Sequence, residues 1–336
     1  MLNKLLRAGL LGASALAASA LPALAGKPQI VIGYENNGAD PYMVTQGLGL
    51  FQKTMDADVT LKFFDSGPAA MSALASNSLQ FMCGLGVPPF VAAISQGLPL
   101  AIIYNQERYT TAAGIAVRPG AGIHAIADLK GKKIAIVQGS QASFELATFL
   151  QEASVPFESV TQVNMSPPEM RVAYTTNSID AAIVWAPVFD ALQEAGARVL
   201  KTDADLPRDA SSYNVCIANT NWVKDHPQLT VQFIKALDQG VTYTKENPAK
   251  ALTLMATQAG IDAATAAAEL KGYEIFSAKD QSAPFVLGAG DGVANSATTK
   301  TLANTATVLL KIGRITSPLS APAKAVEPTF AIDAAK

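Results

Sequence analysis

Side chains that attack, ligate or shuttle protons are scarce in this sequence. It holds two histidines, His124 and His226, and two cysteines, Cys83 and Cys216. That is too few for a His-rich metal site or a disulfide framework. No Gly-x-Ser-x-Gly, His-Glu-x-x-His, phosphate loop or post-strand Gly-x-Gly-x-x-Gly is present. Cys83 sits in a run that reads as a buried strand with no histidine beside it, which suits a buried thiol better than a nucleophile. If the strands carrying Cys83 and Cys216 are neighbours, an oxidising compartment would join them; the residues alone leave both states open. The chemistry on offer is binding. Asp65-Ser66-Gly67, Gly84-Leu85-Gly86-Val87 and Gly139-Ser140-Gln141 are short polar loops, each leading from a strand into a helix. Helix N-termini present unpaired amides and a partial positive charge, so such loops suit an anion, and glycine lets a ligand approach the backbone. One such loop is as well explained by ordinary N-capping; three converging on one place favour a ligand. Glu35-Asn36-Asn37-Gly38-Ala39-Asp40 adds carboxylates. The expected ligand is a small molecule with an anionic end and a cationic end.

The elements that must position these loops alternate in an α/β pattern with largely parallel sheets. Strands are expected at residues 29–34, 59–64, 79–83, 100–104, 133–137, 160–164, 179–184 and 213–218, and only helices beyond Thr220. Residues 64–80 align without a gap on residues 164–180, with five of 17 positions identical: Ser66/Ser166, Pro68/Pro168, Ala73/Ala173, Asn77/Asn177 and Ser78/Ser178. The repeat predicts two similar lobes, each an open α/β sheet: residues 28–116 with 214–336, and residues 117–213. Two hinge crossovers, near Val117 and Ser212, would then enclose a cleft, with ligands at the carboxyl ends of strands.

Composition agrees with this reading. Of 336 residues 49% are hydrophobic and 15% charged, with a net charge of −2, which describes a globular protein without the basic footprint of a nucleic-acid binder. Lys4 and Arg7 precede an uncharged apolar run and Ala23-Leu24-Ala25, the pattern of a secretory signal peptide (residues 1–25) cut after Ala25. The run is too short for a membrane span of ~20 residues. The mature chain is expected outside the cytoplasm.

The sequence resembles the periplasmic solute-binding proteins of ABC importers for taurine, aliphatic sulfonates and nitrate, and the taurine binders most. The resemblance rests on Asp40-Pro41, Phe64-Asp65-Ser66-Gly67, Asp128-Leu129-Lys130-Gly131-Lys132, Val184-Trp185-Ala186-Pro187 and His226-Pro227, over residues 29–245. It implies a two-lobed periplasmic binding protein fold of type II, a place in the periplasm, no enzymatic activity, no cofactor or metal, a monomer, and an inner-membrane permease as partner. Carried over position by position, Asp40 is the acid, Asp65, Ser66 and Gly67 match outright, and Gly86 and Val87 replace a small-polar pair. Ser140 and Gln141 lie in the second-lobe anion loop, and Trp185 packs against the ligand. Two positions depart. Asn214 stands where taurine binders carry an aspartate for the ammonium, and Glu107 replaces a small polar residue. Asp40, then Glu107, is therefore expected to hold the cationic end. The alternatives are another small ligand (alkanesulfonate, nitrate, an amine-bearing solute), a sensory domain, or an enzyme of thiamine-pyrimidine synthesis with a similar fold. That enzyme's cysteine-rich motif and histidine are missing here.

Overall fold

The computed structural model describes residues 26–336, so the signal peptide expected at residues 1–25 lies outside the described residues. The strands are β1 (Gln29–Tyr34), β2 (Asp58–Phe63), β3 (Phe81–Gly86), β4 (Leu100–Tyr109), β5 (Ala113–Val117), β6 (Lys133–Ile136), β7 (Thr161–Asn164), β8 (Ala181–Trp185), β9 (Arg198–Thr202), β10 (Tyr213–Asn219) and β11 (Tyr273–Ile275). They form two sheets, ordered β11-β4-β10-β3-β1-β2 and β7-β6-β8-β5-β9. Only β2-β1-β3 and β7-β6-β8 run parallel; β10, β4, β11, β5 and β9 join antiparallel. The expectation of largely parallel sheets is corrected here. One reversed strand inside each sheet, β10 between β3 and β4 and β5 between β8 and β9, makes these pairs antiparallel, and β11 adds reversed at the edge of β4.

The hundred-residue repeat is geometric as well as sequential. Helices Gly67–Ala75 and Pro167–Thr175 occupy matching positions, as do β3 and β8. Asn77 and Asn177 both terminate these helices in the left-handed region, at φ 55° and 56°. Asparagine tolerates that conformation better than most residues, which accounts for their identity in the two copies. The central strands are buried along their length, β3 as Phe-Met-Cys-Gly-Leu and β8 as Ala-Ala-Ile-Val-Trp.

Three other expectations are revised. The first passage between sheets falls at residues 110–112, because β5 pairs with β8 and β9; the lobe boundary drawn at Val117 came one strand too late. The helix expected over residues 41–53 is divided at Gly49, whose φ of 61° ends the first part, Pro41–Gly47. Beyond Thr220 the chain is not all helix, since β11 adds to the edge of β4.

The first sheet is covered on one face by Leu85, Phe90, Leu302 and Tyr213 and on the other by Phe51, Phe81, Phe233 and Cys216. Phe81 and Phe233 stack with centroids 4.0 Å apart. On the latter face Cys83 and Cys216 form a disulfide between β3 and β10, with Cα atoms 4.1 Å apart. The helix Pro227–Glu246 returns over this sheet and crosses Pro41–Gly47 at Gly240. A Cβ there would lie 2.8 Å from the carbonyl oxygen of Pro41, so only glycine allows the two backbones to approach. The second sheet has its own core around Ile134, Ile183, Phe149 and Phe189.

Candidate functional site

The carboxyl ends of β1, β3, β6 and β8 point toward one another across the hinge, where ligands bind in open α/β sheets. Between them lies a cavity of about 20 Å³, lined by residues of both lobes and of the hinge strands. The first lobe contributes Glu35, Asn37, Gly67, Gly84, Gly86 and Pro89; the second contributes Ser140, Gln141, Glu145 and Trp185. Tyr109, Asp203, Tyr213 and Asn214 close it from the hinge side. A wider groove of about 780 Å³ opens outward from Trp185, with Asp65, Arg171, Phe63 and Val172 on its walls.

Local chemistry fixes each wall. Gly84, at φ +72°, turns its carbonyl to the Asn37 Nδ2 donor (3.0 Å), while its own N–H donates to Gln106 Oε1 (2.6 Å). Opposite, Ser140 caps the helix Gln141–Glu152 by accepting from Ala142 N (3.2 Å) and donating to Val137 O (2.8 Å). Gln141 and Glu145 lie one turn apart on that helix and share a face. Gln141 Nε2 donates to Ser212 Oγ (2.8 Å), and Ser212 Oγ donates to Glu145 Oε1 (2.5 Å). The second hinge passage is thereby tied to the helix that lines the cleft.

Six of the eleven residues expected at the site line this cavity: Gly67, Gly86, Ser140, Gln141, Trp185 and Asn214. The other five stand elsewhere. Asp65 is exposed on the outer groove, and half-buried Ser66 donates to its Oδ1 (3.2 Å) without capping the helix behind it. The Val87 side chain is buried in the first-lobe core, because the helix Val87–Ser95 turns it away from the cleft. Asp40 is buried and accepts from Met43 N (3.1 Å) as an N-cap, away from the cavity wall. Glu107, on β4, accepts from Asn214 Nδ2 (2.7 Å) and so lies behind Asn214, with Tyr109 Oη a second acceptor (3.1 Å). The acids the sequence reading missed are Glu145 and Asp203, both buried and both on the cavity wall. One signal was available: Glu145 stands four residues after Gln141, one helical turn on.

The electrostatics are one-sided. The cavity lining carries Glu35, Glu145 and Asp203 and no lysine, arginine or histidine. Burial pushes the Glu35 carboxyl well above its usual range, with the Asp65 charge adding to it. Burial likewise raises Glu145, and raises Asp203 strongly with help from the Glu145 charge. Behind the wall, burial pushes Asp40 up to about 7 and Glu269 up to about 8, and raises Glu107, where the Asp40 charge adds. The Glu35 carboxyl faces the Gly67 N–H, and the Asp203 carboxyl faces the Ser212 hydroxyl and the Glu145 carboxyl, all of them buried. Buried charges are nearly always paired, and no cationic side chain on the cavity wall pairs with these carboxyls.

Chains of known character resemble this one. The taurine-binding periplasmic protein of Escherichia coli (strain K12) is 28% identical over 62% of this chain and 63% of its own length. A Bacillus subtilis (strain 168) protein named for aliphatic sulfonate binding is 27% identical over 65% of this chain and 66% of its own. The chain thus spans just under two thirds of the length of these two relatives. Among solved structures, the alkanesulfonate-binding protein SsuA from Xanthomonas axonopodis pv. citri, bound to MOPS, superposes with a TM-score of 0.73 at 23% identity, covering 90% of this chain and 99% of that one. That likeness establishes the two-lobed periplasmic binding protein fold. A family model described as NMT1/THI5-like matches residues 36–251, well over half of the sequence. With two sheets, a hinge and a cleft at their carboxyl ends, the chain belongs to the NMT1/THI5-like family.

Proposed function

We propose that this chain is the solute-binding component of an ABC importer, capturing a small taurine-like organosulfonate and delivering it to a membrane permease. The observation that carries this reading is the cavity at the carboxyl ends of β1, β3, β6 and β8, closed by both lobes. The glycine Gly67 and the cap Ser140, each at the start of a helix on that wall, suit the anionic end. The names of the relatives agree with such a ligand. Nothing on the cavity wall arranges a nucleophile beside a base, so the reading assigns the site to capture without turnover. Export with cleavage after Ala25 and a monomeric state belong to the same proposal. A thermal-shift series of the mature protein with taurine tests it: at 100 times the dissociation constant, a ligand adds ~2.7 kcal/mol to folding stability. No shift with any small sulfonate would refute the sulfonate assignment. A chemically altered solute would refute the passive role.

A further inference from the structure

The acids on the cavity wall narrow the ligand class beyond that reading. Three carboxyl groups, Glu35 from one side and Glu145 with Asp203 from the other, meet a space that no cationic side chain lines. Asp203 is fully buried with its carboxyl facing the Ser212 hydroxyl and the Glu145 carboxyl, and Glu35 is 5% exposed with its carboxyl facing the Gly67 N–H. Buried charges are retained where an opposite charge pairs with them, and no lysine, arginine or histidine lines the cavity beside these acids. A metal ion is a poor candidate: among the described residues no group of three or more His, Cys, Asp or Glu is disposed to hold one.

Resting on the importer reading, we infer that the ligand must carry a cationic nitrogen, and that Asp203 and Glu145 of the hinge and second lobe are its subsite. Asp40 and Glu107 are not. Asp40 is spent on its helix cap, and Glu107 is screened from the cavity by Asn214. An ammonium entering there would donate to the Asp203 and Glu145 carboxyls, the second of which the Ser212 hydroxyl already holds in place. A plain anion would have to sit against this acidic wall with no compensating charge. In the unliganded cleft burial raises both neighbouring acids, and the Glu145 charge raises Asp203 further. Entry of a cation therefore releases proton to solvent, which a purely structural pair would not do.

Calorimetry with taurine, ethanesulfonate and ethanolamine separates the possibilities, run in two buffers of different ionisation enthalpy to count protons. The expected result is that taurine, ethanolamine or both bind at least tenfold more tightly than ethanesulfonate, with proton release. Asp203→Asn should weaken the amine-bearing ligand at least tenfold and abolish the release, and Glu145→Gln should act in the same direction. Should both variants fail to fold, proton release by the wild-type protein decides the matter. Ethanesulfonate binding as tightly as taurine without proton release would overturn the amine requirement and leave the sulfonate-importer reading standing. Binding of ethanolamine alone would overturn the sulfonate and keep the amine subsite. Binding of none of the three overturns both.

Discussion

Gly86 is one place where the two lobes touch closely, and a single methyl group there tests whether that contact belongs to ligand capture. A Cβ added at Gly86 would stand 2.9 Å from the Gln141 Cβ in the opposite lobe. Carbon atoms in contact sit ~3.5–4.0 Å apart, so the lobes would have to part by roughly half to one ångström at the cleft. Backbone strain contributes nothing, since Gly86 has φ −66° and ψ 154°, a conformation open to any residue. The cost of Gly86→Ala should fall on closure and spare the fold of either lobe. Overpacking of this kind costs about 1–3 kcal/mol, which is about a fivefold to hundredfold loss of affinity at about 1.4 kcal/mol per decade. Calorimetry with the tightest-binding solute measures the affinity, and thermal unfolding of the unliganded variant measures the fold. Unchanged affinity would refute the reasoning, and so would a fall in unliganded stability large enough to explain the loss.

Stability of the unliganded protein should fall as pH rises. Asp40, near 7, and Glu269, near 8, hold their protons better folded than unfolded, where carboxyls titrate at ~4; that contribution is complete below about pH 4 and is lost as pH climbs through 7 and 8. A melting temperature that rises from pH 5 to 8.5 would contradict this. Replacing Cys83 and Cys216 by alanine removes a cross-link between residues 133 apart in sequence. It should cost about 2–5 kcal/mol, read by urea unfolding under oxidising conditions, and an unchanged midpoint would show the bond to be idle. Gly240→Ala forces a methyl group against Thr45 and the Pro41 carbonyl. It should lower stability by about 1–3 kcal/mol while ligand specificity, set in the cleft, stays as it was.

The sequence disclosed the architecture better than it disclosed the site. Asn77 and Asn177 advertised the repeat because a left-handed helix end leaves few residue choices, and that requirement is local. Gly67, Gly86, Ser140 and Trp185 were legible for a similar reason: they sit where a strand passes into a loop or helix, and that junction is written in consecutive residues. Val87 was misplaced by one position along such a junction, enough for the helix to rotate its side chain into the core. Asp40 and Glu107 attracted attention as acids near the cleft, yet their hydrogen bonds to Met43 N and Asn214 depend on contacts that spacing alone does not give. Asp203 was hidden entirely. It lies at the start of the second hinge passage, directly after β9, and only the pairing of β9 with β5 brings it to the cavity wall. The boundary at Val117 failed because β5 continues the hydrophobic run of the hinge and only its partners, β8 and β9, reveal its sheet.

Small-angle scattering of the mature protein, recorded with and without saturating taurine and followed by recovery of the solute, tests the central claim most directly. The account predicts a smaller radius of gyration on saturation of one site per chain, with taurine recovered unchanged. Superimposable scattering curves at saturation, or a converted solute, would contradict a two-lobed protein that captures its ligand by closing on it.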